Sequence, residues 1–548
     1  MFLFFLFLYL LTANGRIVNR DGEAMFQVAA SIAERGRLDV PAESVFEVGA
    51  GPRGTGGDSL SFATETARRG VDGNLYAIYG LGQSLVSVPL YLVGKVLTAA
   101  LPQVSPYFST RFTVALLNPM VSALACAVLF SLARSLGFAR RNSLVLTLLY
   151  GTATMAWPYS KSFASEPLVA LMLLVSSLCL VRSQPARRTW LWLALAGASL
   201  GFAVMNRVSV VVLLPVFAVY WLAIVRGRIP TGERGLPRRH GGSEENGFSF
   251  WAAILAFFIP VILFLALIGW YDYARFGSPF VTGYQSIAWN RPIIDGLYGL
   301  LLSPGKGLLW YSPALVLSVL AFLTLYRFRK REALFIAGLG VVWVAFHAPY
   351  RFWEGGWSWG PRLMLPILPF LLLPTVAAVS SPGFLGRWGA RLLAATVVLG
   401  LAVQISAVGV DYTRYLWENY SARPDEAYAV VVYQPAGSPL VQQWPALAAV
   451  VGNAMRTGEL DKAREAAAES ANRRDASGLS EVDMSAAVLA ETQVAGLNFP
   501  DFWFVYLYVF GAPTGLILSA GLVILTGFGI MLVVLDRRLR GLKLEERG

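Results

Sequence analysis

Residues 19–40 read NRDGEAMFQVAASIAERGRLDV and follow the thirteen-residue apolar opening MFLFFLFLYLLTA. Two carboxylates, Asp21 and Glu23, therefore stand where an apolar segment has just ended. A carboxylate at the edge of lipid is costly unless it meets water, a cation or a substrate. Paired carboxylates suit general acid–base work, and a pair taken alone suggests glycoside hydrolysis. A plainer role competes: Asp21 as the N-cap of the helix that follows, with Glu23 favouring its dipole. From Gly22 onward, Met25, Val28, Ala29 and Ile32 share one helical face, while Glu23, Gln27 and Glu34 point elsewhere. That pattern fits an amphipathic helix lying on a membrane surface.

The elements that must hold these acids are set by composition. Of 548 residues, 56% are hydrophobic and only 14% are charged, and the mean hydropathy is +0.56. A soluble chain carries about a quarter charged residues, whereas this one repeats apolar runs of the roughly 20 residues that cross a bilayer. The net charge of +12 is spread between those runs as a topology signal and forms no nucleic-acid patch. Cys126 and Cys179 lie inside apolar runs and read as packing residues, with no disulfide or metal spacing. His240 and His347 are too few and too far apart for a His-rich metal site.

Apolar segments near 1–13, 112–133, 143–157, 166–181, 189–205, 208–225, 249–270, 308–326, 333–349, 363–380, 391–408 and 504–535 predict an all-α polytopic membrane protein of about twelve spans. The basic stretches 137–142, 182–188, 226–240, 327–331 and 536–543 alternate with loops poor in Lys and Arg, which puts them and both termini in the cytoplasm. Segment 81–101 contains Gln83, Pro89, Gly94 and Lys95 and reads as a re-entrant or interfacial hairpin. Residues 1–408 form the transmembrane region, with 14–110 as a large first external loop of interfacial helices. Residues 271–307 form a second outer loop rich in Gly, Pro and aromatics. Residues 409–503 form a polar, mainly helical external segment whose stretch ELDKAREAAAESANRRD reads as a solvated helix. The last span and a basic tail fill 504–548. The opening span lacks a basic flank, as a slightly truncated start would leave it, and no small-residue cleavage site marks it as a signal peptide.

Further stretches carry a resemblance: DGNLYAIYGLGQSLVSVPLYLVG (72–94), STRFTVALLNPM (109–120), YDYARFGSPFVTGY (271–284), GLYGLLLSPGKGLLWYSP (296–313) and WEGGWSWGPRLMLPILPF (353–370). In order and spacing the chain resembles the GT-C class of integral-membrane glycosyltransferases, nearest to bacterial members related to protein O-mannosyltransferases and the aminoarabinose lipid A transferases. The resemblance covers roughly residues 1–410 and the last span. It implies transfer of a sugar from a polyprenyl-phosphate carrier to an acceptor hydroxyl outside the cytoplasm, with inversion and with Asp21 as the catalytic carboxylate. A positioned carboxylate takes the proton of an alcohol as the bond forms, and the protein must stabilise the charge developing on the phosphate leaving group. Glycine separates Asp21 from Glu23, where many relatives place two acids side by side, so both stand as catalytic candidates.

Glu166, at the outer end of the fourth span, is a further acid expected to face the same cavity, against a plain helix-start role beside Pro167. Arg275, Lys306, Arg351 and Arg362, cations expected at the external face, are candidates for the phosphate, against ordinary anchoring of cations near span ends. Lys306 lies between glycines, and an arginine such as Arg362 grips phosphate with two parallel hydrogen bonds. The Lys306 stretch lacks the spacing of a nucleotide P-loop. Arg111 is expected to pair with an acid of the first loop. Trp357, with Trp353 and Trp359, either stacks on a sugar or joins an interfacial belt, the belt being the default. Asp21, Glu23 and Glu166 offer hard oxygen ligands for a divalent cation, magnesium or manganese, but no metal is assigned and no other cofactor is expected. The partners implied are a polyprenyl-phosphate-linked donor, an envelope glycan, lipid or protein acceptor, and membrane lipids, with no nucleic acid. The setting implied is the plasma membrane with an extracytoplasmic site. A transporter or flippase of lipid-linked sugars is the alternative, and it calls for ionisable residues in mid-span. A non-catalytic scaffold binding envelope partners through 409–503 is a third reading.

Overall fold

The computed structural model describes residues 1–41, 66–184, 188–226, 249–284, 289–380, 384–416, 424–453, 458, 460–465 and 499–545. Loop 226–240 beyond Arg226, with His240, and most of the stretch ELDKAREAAAESANRRD lie outside them.

The chain is mainly helical, as its apolar runs require. Among the described residues, seven helices are long and apolar enough to cross a bilayer: Leu81–Ala100, Pro106–Ser135, Thr189–Asn206, Val208–Arg226, Phe250–Phe276, Arg387–Gly409 and Thr514–Arg540. Four shorter apolar helices accompany them: Phe2–Thr12, Ile293–Leu302, Ala314–Phe328 and Leu368–Val379. Several expected spans are broken. Segment 143–157 divides between Arg140–Thr152 and Ala156–Ser160. The run 504–535 is interrupted at Gly511 and Pro513, between helices Trp503–Val509 and Thr514–Glu545. Proline explains such breaks because it removes a helical donor and its ring clashes with the preceding turn. Of the loop read over 271–307, residues up to Phe276 continue a helix and 293–302 form another.

Five elements frame the N-terminal corner. Helix α1 (Phe2–Thr12) leads into α2 (Arg20–Arg35), whose cap is Asn19 and not Asp21: the Asn19 side chain accepts from the Gly22 amide at 2.7 Å. A hairpin follows, β1 (Ala67–Arg69) antiparallel to β2 (Leu75–Ala77), pairing Ala67 with Ala77 and Arg69 with Leu75. It departs from the all-α expectation, and its turn is local chemistry: the Asp72 carboxylate accepts from the Asn74 amide at 3.1 Å, an Asx turn. Segment 81–101 is a single unbroken helix, α3 (Leu81–Ala100), and not a hairpin. It runs beside α2, with the Ser84 hydroxyl donating to the Met25 carbonyl at 2.8 Å and the Tyr91 hydroxyl to Glu34 at 2.5 Å. Its outer face keeps Leu92, Val93 and Val96 exposed.

Behind the corner stand α4 (Glu166–Arg182), α5 (Thr189–Asn206) and α6 (Phe250–Phe276). Helix α6 buries only a narrow stripe, including Ala253, Phe257 and Val261, and exposes Leu255, Ile262 and Leu263. An apolar exposed face of that kind suits a lipid surround. Cys126 and Cys179 are buried and unbridged in the bundle interior. Before the last long helix, the described part of 409–503 includes helices Pro424–Tyr433 and Pro439–Asn453.

Candidate functional site

In α2 the two acids diverge, because residues two apart on a helix point to nearly opposite sides. Glu23 is buried and turned inward. It accepts from Arg111 at Nη2 (2.5 Å) and Nε (3.1 Å), and from Gln27 Nε2 at 2.6 Å. Arg111 also lies 3.7 Å from the centre of the Tyr107 ring and 4.4 Å from that of Phe26. The expected pairing of Arg111 with a first-loop acid is present, and it engages both oxygens of Glu23. The intervening Gly22 is a point of close approach: a Cβ there would lie 2.6 Å from the Phe163 carbonyl. The glycine thus lets α2 press against the segment that leads into α4.

Asp21 faces the other way, with a quarter of its side chain exposed. Its Oδ1 accepts from the Tyr79 hydroxyl at 2.8 Å and its Oδ2 from Arg362 Nη2 at 2.6 Å. Arg362 Nε lies 3.7 Å from Glu166 Oε1 and has no hydrogen-bond partner. The same Glu166 oxygen accepts from Arg207 Nη1 at 2.6 Å. Asp21, Arg362, Glu166 and Arg207 thus form a ladder of alternating charge. Glu166 is buried at the first turn of α4, and Arg207 follows the end of α5, where Asn206 donates to the Ser165 carbonyl at 3.0 Å.

Burial pushes the Asp21 carboxyl up, but the Arg362 charge and the hydrogen bonds from Tyr79 and Arg362 outweigh it and hold the group below the usual range. Tyr79 moves the opposite way, well above an ordinary phenol, from burial and then from the Asp21 charge.

Arg362 comes from a glycine-rich loop that folds onto its stem. A Cβ at Gly355, which has φ +75°, would lie 2.8 Å from Arg362 Cγ. Lys306 clamps the same loop. Its Nζ is fully buried and donates to the Gly356 carbonyl (2.8 Å), the Ser358 carbonyl (2.6 Å) and Ser358 Oγ (3.3 Å). Its three N–H directions are thus met by protein, which corrects the expectation of an ammonium open to phosphate. Burial lowers its pKa to about 7, against the pull of Glu354.

Arg275 is likewise buried. It binds Asp272 and the Ala77 carbonyl and lies 3.8 Å from the centre of the Tyr271 ring. It fixes the end of β2 through the Ala77 carbonyl, and it also lines the cleft beside Tyr79. Arg351 remains exposed beside the Phe352 ring. Trp353 and Trp359 are fully buried and form no interfacial belt; Trp359 donates to Gln404 Oε1 at 3.2 Å. Trp357 is partly exposed, with Arg20 stacked on it at 4.9 Å. Among the described residues no three His, Cys, Asp or Glu side chains converge on one point. Asp21, Glu23 and Glu166 therefore do not make a common oxygen cage.

A shallow, partly open cleft lies beside Tyr79, which it shares with the Asp21 contact; Leu81, Val204, Met205, Ile268, Tyr284 and the Asp272–Arg275 pair also line it. Sequence reasoning passed over Tyr79 and Arg207. The signal for Arg207 was a lone cation between two apolar runs; Tyr79 was one tyrosine among several in a quoted stretch. A second buried knot was also missed. Asp501 binds Lys161 at 2.6 Å and Arg16 at 3.0 Å, and Arg16 also reaches Asp411 at 2.5 Å.

The chain is similar to several solved structures. ArnT from Cupriavidus metallidurans in the apo state aligns with a TM-score of 0.47 and 14% identity, over 92% of this chain and 75% of that one. The same protein bound to undecaprenyl phosphate gives 0.46 and 13%, over 92% and 76%. The archaeal oligosaccharyltransferase AglB from Archaeoglobus fulgidus, in complex with an inhibitory peptide and a dolichol-phosphate, gives 0.40 and 11%, over 80% and 60%. No curated protein matches. Residues 79–273, the stretch that carries Tyr79, Arg111, Glu166 and Arg207, match the family model of dolichyl-phosphate-mannose-protein mannosyltransferase, so the likeness to that glycosyltransferase family holds over that stretch.

Proposed function

We propose that the protein is a membrane glycosyltransferase that moves a sugar from a polyprenyl-phosphate carrier to an acceptor hydroxyl of an envelope glycan, lipid or protein. The observation that carries this is the contact of Asp21 with Arg362, 2.6 Å apart, with Tyr79 joining Asp21 to the neighbouring cleft. The family match over 79–273 supports it. In the reaction, Asp21 takes the proton of the acceptor hydroxyl while its oxygen bonds to the anomeric carbon. The bond from that carbon to the phosphate oxygen breaks, and its electron pair leaves on polyprenyl phosphate. Attack from the face opposite the phosphate inverts the anomeric centre.

Arg362 carries the charge of the leaving phosphate, for which its guanidinium offers two parallel donors. Glu166 and Arg207 hold Arg362 in place. The carrier's tail stays in the lipid and keeps the sugar at the outer leaflet of the plasma membrane. Trp357 and Arg20 flank the acceptor side. Asp21, Glu166 and Arg207 sit at or just beyond helix ends, while Arg111, Asp272 and Arg275, which lie within long apolar helices, are engaged in ion pairs inside the fold. The test incubates purified protein with a panel of polyprenyl-phosphate sugars and candidate acceptors and follows released polyprenyl phosphate by mass spectrometry. Release that depends on Asp21 supports the proposal, and absence of release across the panel overturns it.

A further inference from the structure

We propose that Tyr79 is a positioning residue for the transfer: its hydroxyl fixes the rotamer of the Asp21 carboxylate so that the free lone pairs face the acceptor. The inference rests on the reading of Asp21 as the base.

The geometry is a braced contact. The Tyr79 hydroxyl donates to Asp21 Oδ1 at 2.8 Å while Arg362 holds Oδ2, so the carboxylate is gripped from two sides. Two points fix an orientation that one ion pair leaves free to rotate. Tyr79 itself stands on a rigid frame. It comes two residues after β2, whose last carbonyl, Ala77, is bound by Arg275. The Ile78 amide donates to the Thr66 carbonyl at 3.0 Å. On its other side Gly80 touches the backbone at the end of α5: a Cβ there would lie 2.3 Å from the Met205 carbonyl. The ring meets Tyr284 edge-on at 6.3 Å. Such locking by a supporting shell is what holds a reacting group within about 0.5 Å of its working position.

Among the described residues, the groups facing Asp21 can be named. Arg362 and Arg207 are the cations, and Glu166 lies behind Arg362. Tyr284 and Tyr350 are the neighbouring phenols, and Arg20 precedes Asp21 on α2. With both arginines still in place, removal of the phenol hydroxyl takes away one hydrogen bond to the charged carboxylate. The carboxyl then titrates higher.

The test compares Tyr79→Phe with Asp21→Asn in sugar transfer across pH, with size-exclusion profiles as a fold control. Tyr79→Phe is expected to lower kcat about tenfold, short of the roughly hundredfold of a full misplacement. KM for the donor stays close to that of the parent, and the acid limb of kcat moves to higher pH. An unchanged acid limb and kcat in Tyr79→Phe, with Asp21→Asn inactive, overturns this inference and leaves the base in place. Full transfer by Asp21→Asn overturns the base reading itself. Should Tyr79→Phe not fold, 3-fluorotyrosine placed at position 79 keeps the ring and strengthens the donor. The acid limb must then move to lower pH, and a fixed limb again overturns the inference.

Discussion

Asp21 and Arg362 are 341 positions apart in the chain and 2.6 Å apart in the fold. The contact joins the first turn of α2 to a 3₁₀ turn at Arg362–Met364, two local structures with little in common. It gives the proposed base and the proposed phosphate ligand a shared resting state, in which each neutralises the other.

Asp21→Asn is expected to reduce transfer by about 10²–10⁴-fold, the range that a lost general base costs. The amide keeps the size of the side chain and its capacity to accept from Tyr79, so the protein should elute as the parent does. The measurement is released polyprenyl phosphate per unit of folded protein. Transfer at the parental rate refutes the role.

Arg362→Lys should weaken the donor step more than charge conservation suggests. Lysine is a point charge without the planar fork that reaches two phosphate oxygens. It also loses the Asp21 contact geometry, so the Asp21 carboxyl titrates closer to its ordinary range. We expect KM for the donor to rise about tenfold and the acid limb of kcat/KM to move upward in pH. A parental KM would separate Arg362 from the phosphate.

How far this corner could be read in the sequence depends on the residue. Asp21, Glu166 and Arg362 were singled out because charge at the end of an apolar run is conspicuous. Helical periodicity around Met25 and Val28 was equally plain, and both are buried as a shared face requires. The partners of Lys306 and Arg275 were not legible. Lys306 is met by two carbonyls and a hydroxyl, and Arg275 by a carbonyl and a carboxylate, all within the fold, and nothing local in a sequence tells such a cation from one that waits for a ligand. The cap was misassigned because Asn19 and Asp21 are both good caps, and only the chain's entry into α2 decides between them. Pro89 argued for a bend, yet α3 runs through it, as tertiary packing overrides local preference.

The pH response of the parent follows from the Asp21 shift. A carboxyl whose pKa in the folded state lies below its unfolded value contributes stability above the unfolded pKa. That contribution is lost as pH falls through the folded value. For Asp21 the window lies below the ordinary carboxyl value of 3.8. Transfer limited by this base should therefore hold level from neutrality down through mildly acidic pH and fall only below that value. A half-maximal point near pH 6 in kcat/KM would assign the limb to another group.

Glu23 and Arg111 provide the contrast, because their pair is buried on both sides, at 3% and 6% side-chain exposure. Removing one partner leaves a charge in the interior without its counter-ion, which costs about 3–5 kcal/mol. Glu23→Gln should therefore lower the thermal unfolding midpoint markedly, and Arg111→Met should do the same. The double variant, which removes both charges, should recover much of the loss, since a well-packed neutral pair is often no worse than the ion pair. Any Glu23→Gln protein that folds should transfer sugar with the parental acid limb, because Glu23 points away from Asp21. If Glu23→Gln instead keeps the parental midpoint and abolishes transfer, the two acids have been assigned the wrong way round. Glu23 would then be the base and Asp21 the structural partner of Arg362.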